Sequence, residues 1–143
     1  MLNISLKEAW AFFSSPINLK HITPPKMGFQ IISGYEEDAM HAGMIIKYIV
    51  KPILGLPITW VTEISHVQEP NFFVDEQRAG PYSFWHHQHH FRSTEEGTLM
   101  VDIINYSVPY GFIGRLLHWL FIKKELQLIF NYRHKILDQK FNR

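Results

Sequence analysis

The chain has 143 residues, of which 46% are hydrophobic, 15% aromatic and only 19% charged; this mix buries a core and excludes a disordered chain, and the length fits a single domain over residues 1–143. Its 14 Lys and Arg against 13 Asp and Glu give a net charge of +1, so no diffuse basic surface points to nucleic acid. Cysteine is absent, which excludes disulfides, thiolate metal sites and thiol nucleophiles.

At the start of the chain, Met1 to Lys7 lack the basic and apolar regions of a signal peptide, and no later apolar run reaches the roughly 18 residues of a membrane span, so a cytoplasmic protein is expected. Ser5 and Glu8 stand three apart as in a capping box and predict a helix over about residues 5–14. Ser15-Pro16 opens a second short helix. Thr23-Pro24-Pro25 stops it, because proline lacks an amide and restricts the residue before it.

From Gly28 to about Val108 the hydrophobic period is two. Met44, Ile46, Tyr48 and Val50 alternate with Ile45, Lys47, Ile49 and Lys51, and Ile58, Trp60, Thr62 and Ile64 alternate with Thr59, Val61, Glu63 and Ser65. Further strands are predicted at about 28–36, 71–78, 82–93 and 98–108. They are separated by turn residues such as Ala42-Gly43, Pro52 to Pro57, Glu69-Pro70-Asn71, Gly80-Pro81 and Glu95-Glu96-Gly97. Closely spaced strands without intervening helices indicate an antiparallel meander. After Pro109-Tyr110-Gly111 the spacing of Phe112, Leu116, Leu120, Leu126, Phe130, Leu137 and Phe141 is helical. About 30 residues of helix would be some 45 Å long, more than the roughly 37 Å width of a compact chain this size, so the helix must cross the whole sheet. The expected fold is α+β: a curved antiparallel sheet around a long C-terminal helix, with two short N-terminal helices and room for a cavity between sheet and helix.

The segment from Tyr82 to Arg92 carries the most chemistry. One face of this strand holds Trp85, His87, His89 and Phe91; the other holds Phe84, His86, Gln88, His90 and Arg92, the more polar set. His87 and His89 are therefore placed inside, with His86 and His90 in water. In the neighbouring strands Phe73, Asp75 and Gln77 oppose Phe72, Val74, Glu76 and Arg78, while Met100, Asp102, Ile104 and Tyr106 oppose Leu99, Val101, Ile103 and Asn105. Alternation alone leaves their inward faces undecided.

Together with Phe12-Phe13 through Pro16 and Leu19, Ile22-Thr23-Pro24, Met27-Gly28-Phe29, Trp60, Phe73-x-Asp75-x-Gln77, Gly80-Pro81-Tyr82, Asp102-x-x-x-Tyr106-x-x-Pro109-x-Gly111 and Ile129-Phe130-x-Tyr132-Arg133, this strand resembles the START-related SRPBCC ligand-binding superfamily over nearly the whole chain. The pattern is most similar to its bacterial ligand-binding subgroup. The superfamily includes polyketide cyclase-like proteins, coenzyme Q-binding proteins and plant pollen allergens. The resemblance implies a helix-grip fold with Asp75, Gln77, His87, His89, Asp102 and Tyr106 facing a cavity. Members usually begin with a full strand, whereas only Met1 to Ile4 precede Ser5 here. A shortened first strand would leave an exposed edge and a route to a homodimer.

His87-x-His89 has the spacing of metal-binding histidines on a strand, with Asp75 or Asp102 as a carboxylate ligand. Any two alternate strand residues share a face, however, and the resemblance implies no metal, so neither metal nor cofactor is expected. The favoured function is binding of a small hydrophobic or amphipathic molecule such as a lipid, quinone or polyketide-like compound. Trp60, Phe73, Trp85 and Tyr106 would hold its body, and Asp75, Gln77, His87, His89 and Asp102 would orient its polar end. The alternatives are a cyclase or dehydratase using a His/Asp pair and an interaction module. The latter would act through the apolar Pro52–Pro57 hairpin and the incomplete first strand. The run from Phe112 to Ile122 is nearly apolar all round, which implies cover on more than one face by a cavity lip, a partner subunit or a membrane surface. Arg133 is read either as a surface charge or as the counterion of a buried acid such as Asp102. His21, His41, His66, His118 and His134 show no readable pairing.

Overall fold

The computed structural model describes residues 1–34, 39–51 and 55–142. Ser5 caps helix α1 (Leu6–Phe13) through the expected box: Glu8 N donates to Ser5 Oγ at 3.3 Å, and Ser5 N donates to Glu8 Oε2 at 2.9 Å. The second predicted helix is instead a 3₁₀ turn, Pro16–Lys20, and a further 3₁₀ turn, Pro25–Met27, follows at its proline stop. The prolines and Thr23, whose hydroxyl donates to Leu19 O at 2.7 Å, leave too few consecutive amides for an α-helix to propagate.

Six strands follow in an antiparallel meander whose spatial order is the chain order: β1 (Gln30–Ser33), β2 (Ile45–Val50), β3 (Ile58–Gln68), β4 (Phe72–Ala79), β5 (Phe84–Thr94) and β6 (Gly97–Ser107). Of the predicted first strand, residues 35 and 36 lie outside the described residues, as do 52–54 of the apolar hairpin. The curved sheet faces helix α2 (Gly111–Leu117), a π-helical turn His118–Ile122 and helix α3 (Lys123–Phe141), which run on without a break for 31 residues. This is the helix-grip arrangement. Gly114 permits the close entry into this helix, since a Cβ there would stand 1.8 Å from Pro109 O.

The alternation of β2 and β3 resolves into one buried set. Met44, Ile46, Val50, Thr62 and Ile64 are buried on the inner face, and α1 seats Ala9 and Trp10 on the sheet. The Trp10 indole meets Phe73 and Phe91 edge-on at ring-centroid distances of 5.9 and 6.1 Å, and Leu137 of α3 joins the same cluster. A second cluster of Met27, Phe29 and Val50 packs against Tyr48, Trp60 and Ile129. Ahead of α1, Leu2 forms one antiparallel bridge with Thr98, the two exchanging both backbone hydrogen bonds at 2.9 Å. Asn142, at the end of α3, ties this bridge down by accepting from Asn3 N at 2.9 Å and donating to Met1 O at 3.1 Å.

Candidate functional site

Strand register brings the polar residues together. Asp75 of β4 lies directly opposite His87 of β5, and His89 lies opposite both Phe73 of β4 and Asp102 of β6. Because the pleat sends His87 and His89 to one face, each imidazole reaches both acids. Asp75 Oδ2 is 3.3 Å from His87 Nδ1 and 2.7 Å from His89 Nε2; Asp102 Oδ1 is 3.2 Å from His87 Nε2 and 2.9 Å from His89 Nδ1. The last contact is close but misaligned, so His89 Nδ1 is a buried polar atom without a hydrogen-bond partner. Trp85 Nε1 donates to the other Asp75 oxygen at 3.3 Å. The two imidazoles sit 3.8 Å apart between ring centroids, with Phe73 stacked on His89 at 4.2 Å and Phe130 of α3 edge-on to His87 at 5.8 Å.

The charge states follow from this packing. Burial by itself would raise the Asp75 carboxyl, but the charge of His87 and hydrogen bonds from His87 and His89 outweigh it and hold the group well below the usual carboxylate range. Burial likewise opposes ionisation of Asp102 and is outweighed by hydrogen bonds from both histidines and the charges of His89 and Arg133. For His87, burial favours the neutral ring, yet Asp75 and Asp102 reverse this and raise its pKa. Arg133 is buried rather than a surface charge, and its charge adds to the lowering of Asp102 without a direct ion pair between them among the described residues. It is only 9% exposed, its guanidinium carbon lies 4.9 Å over the Phe130 ring, and its Nε has no hydrogen-bond partner.

These groups form one end of a cavity of about 370 Å³ beneath the long helix. Its polar lining includes Asp75, His87, His89, Thr62, Glu125 and Arg133; its apolar wall includes Trp60, Phe73 and Trp85, and Leu117, Phe121 and Ile122 form part of its helical side. Six of the nine site residues expected from sequence therefore line it. Gln77 does not: its amide donates to Tyr82 O at 2.7 Å and accepts from Tyr82 N, closing the turn between β4 and β5. Tyr106 is drawn to the π-helical turn, where its hydroxyl lies 2.7 Å from His118 Nε2. Asp102 stands behind the histidines and lines a second cavity of about 220 Å³ beside the N-terminus, with Arg133 between the two spaces. His118 had no local signal in the sequence, since its partner lies across a strand-to-helix turn. Trp60 Nε1 is buried at the main cavity and has no hydrogen-bond partner.

The architecture matches solved structures. A "START superfamily protein" from Mycobacterium smegmatis aligns with a TM-score of 0.69 at 12% identity, covering 99% of this chain and 92% of that one. The fold is START-like. Other matches are TTHA0849 from Thermus thermophilus, at TM-score 0.73 and 16% identity over 96% of this chain and 90% of that one, and a protein from Arthrobacter aurescens, at 0.68 and 14% over 96% and 82%. No protein-family model matches the chain, and no curated protein does. Among the described residues, no helix is long and apolar enough to cross a membrane.

Proposed function

We propose that the protein reversibly binds a small, largely apolar molecule with a polar end in the cavity beneath its long helix. The observation that carries this reading is the Trp60 indole N–H, buried at the wall of an apolar space of about 370 Å³ with no hydrogen-bond partner among the described residues. A buried donor left unpaired costs about 1–3 kcal/mol, and a guest bearing an acceptor removes that cost. The volume falls within the roughly 300–1,000 Å³ of small-molecule sites, and a few directed polar groups in an apolar wall are their usual make-up. Phe73 and Trp85 hold the apolar body, while Asp75, His87 and His89 orient the polar end. Gln77, Asp102 and Tyr106 act from behind the wall by fixing the turn, the histidines and the π-helical segment. Incubating the purified protein with a lipid extract and examining it by native mass spectrometry is expected to reveal a retained compound; repeated recovery of empty protein overturns the proposal.

A second reading, association of two copies, is favoured by the outer face of the long helix. Phe112, Ile113, Leu116, Trp119 and Leu120 are all exposed there, and β6 is a sheet edge that, among the described residues, Leu2 bridges at Thr98. A second copy would supply an apolar cover to the one and backbone partners to the other.

A further inference from the structure

We propose that Asp75, His87 and His89 form a binding site for one divalent transition-metal ion of the zinc class, with its open coordination position facing the cavity. One donor atom from each residue lies within 4.8 Å of the others. A tetrahedral ion bound at about 2.0–2.1 Å sets its ligand atoms roughly 3.3–3.4 Å apart. Asp75 Oδ2 and His87 Nδ1 already stand at 3.3 Å, and His89 Nε2, now 2.7 Å from the same oxygen, needs only to open by a fraction of an ångström.

The surrounding residues are arranged as metal sites require. A metal-bound imidazole donates its second ring nitrogen to a fixed acceptor, usually a carboxylate. Asp102 Oδ1 stands at that second nitrogen of both rings, 3.2 Å from His87 Nε2 and 2.9 Å from His89 Nδ1. The hydrogen bond to Asp102 sets Nε2–H on His87 and leaves its Nδ1 lone pair toward Asp75; His89 hydrogen-bonds Asp75 through Nε2, so an ion there displaces that proton while Nδ1, 2.9 Å from Asp102 and without a hydrogen bond of its own, takes up the N–H. Trp85 holds the other Asp75 oxygen, so Oδ2 is the one directed at both histidines.

Charge gives a second reason: one divalent ion offsets the two carboxylates, Asp75 and Asp102, whose oxygens lie within 3.3 Å of the imidazole nitrogens. Asp75, His87 and His89 line the cavity whereas Asp102 does not, so the fourth position opens toward the guest space.

The test uses chelator-treated full-length protein titrated with Zn²⁺ by calorimetry and with Co²⁺ by absorption. One ion per chain and the intense d–d bands of tetrahedral Co²⁺ are expected. Asp75→Asn and His89→Gln should each abolish both signals, with folding checked by near-ultraviolet circular dichroism. Asp102→Asn should weaken binding about 10–100-fold, as loss of an outer-shell partner does. The exposed-face variant His86→Gln/His90→Gln should leave binding unchanged. Failure of the wild-type protein to bind Zn²⁺, an octahedral Co²⁺ spectrum, or binding that is lost only with His86 and His90 overturns the proposal. Retention of a lipid-extract compound is read separately, so a negative metal titration leaves the cavity reading intact, and the reverse also holds.

Discussion

Trp60 and Asp102 show how far a single residue's role depends on where its polar atoms end. The Trp60 indole is expected to donate to a guest, so Trp60→Phe removes one hydrogen bond from the complex and none from the empty protein. Affinity for a retained compound should fall by a factor of about 2 to 10, the equivalent of 0.5–1.5 kcal/mol, with no loss of thermal stability. A fall in melting temperature without a change in affinity would assign the residue to packing alone. Asp102 faces His87 Nε2 at 3.2 Å and carries the charge that Arg133 answers. Asp102→Asn leaves both cations without it and is expected to cost about 3 kcal/mol in urea denaturation, as breaking a buried ion pair does. Alternation on β5 identified His87 and His89 from sequence, because its two faces differ sharply in polarity. It did not separate Asp75 at the cavity from Gln77 at the turn or Asp102 behind it. Those three share the sheet's inner face, and what distinguishes them is the neighbour each meets across the strands.

At the level of elements, chain-local rules worked where the partners were near in sequence. The Ser5–Glu8 box, the proline stops and the alternation of β2 and β3 involve groups only a few residues apart, and their elements formed close to the expected bounds. The 3₁₀ form of the second helix and the π-helical turn at His118–Ile122 were not legible. The π turn coincides with the Tyr106–His118 contact, a constraint imposed by β6 on the helix rather than by the helix on itself. The entry into that helix makes a sharp prediction. Gly114→Ala puts a methyl group against Pro109 O, and the expected result is a lower melting temperature together with weaker retention of a bound compound, because Leu117 and Phe121 line the cavity one and two turns later. An Ala variant as stable and as competent as the wild type would show that the turn adjusts freely. Leu137→Ala, in the Trp10 cluster, should cost about 2–5 kcal/mol by leaving a void under α3.

Across the whole molecule, the outer face of the long helix is the feature least suited to a lone protein in water. Trp119 is 75% exposed and Phe112 72%, and they lie beside Ile113, Leu116 and Leu120. Sedimentation velocity is expected to show concentration-dependent dimers that Trp119→Ser with Phe112→Ser reduces to monomers; a monomer at every accessible concentration would remove association of copies as a reading. The sequence by itself determined the order of elements, the meander, the crossing helix and the pair of inward histidines, since each follows from periodicity, proline and chain length. Tertiary structure alone decided which acids meet those histidines, that Arg133 is buried between two cavities and that Trp60 keeps an unpaired donor. These depend on strand register and on the seat of the helix over the sheet, where residues tens of positions apart come within hydrogen-bond reach, and no local pattern encodes that distance.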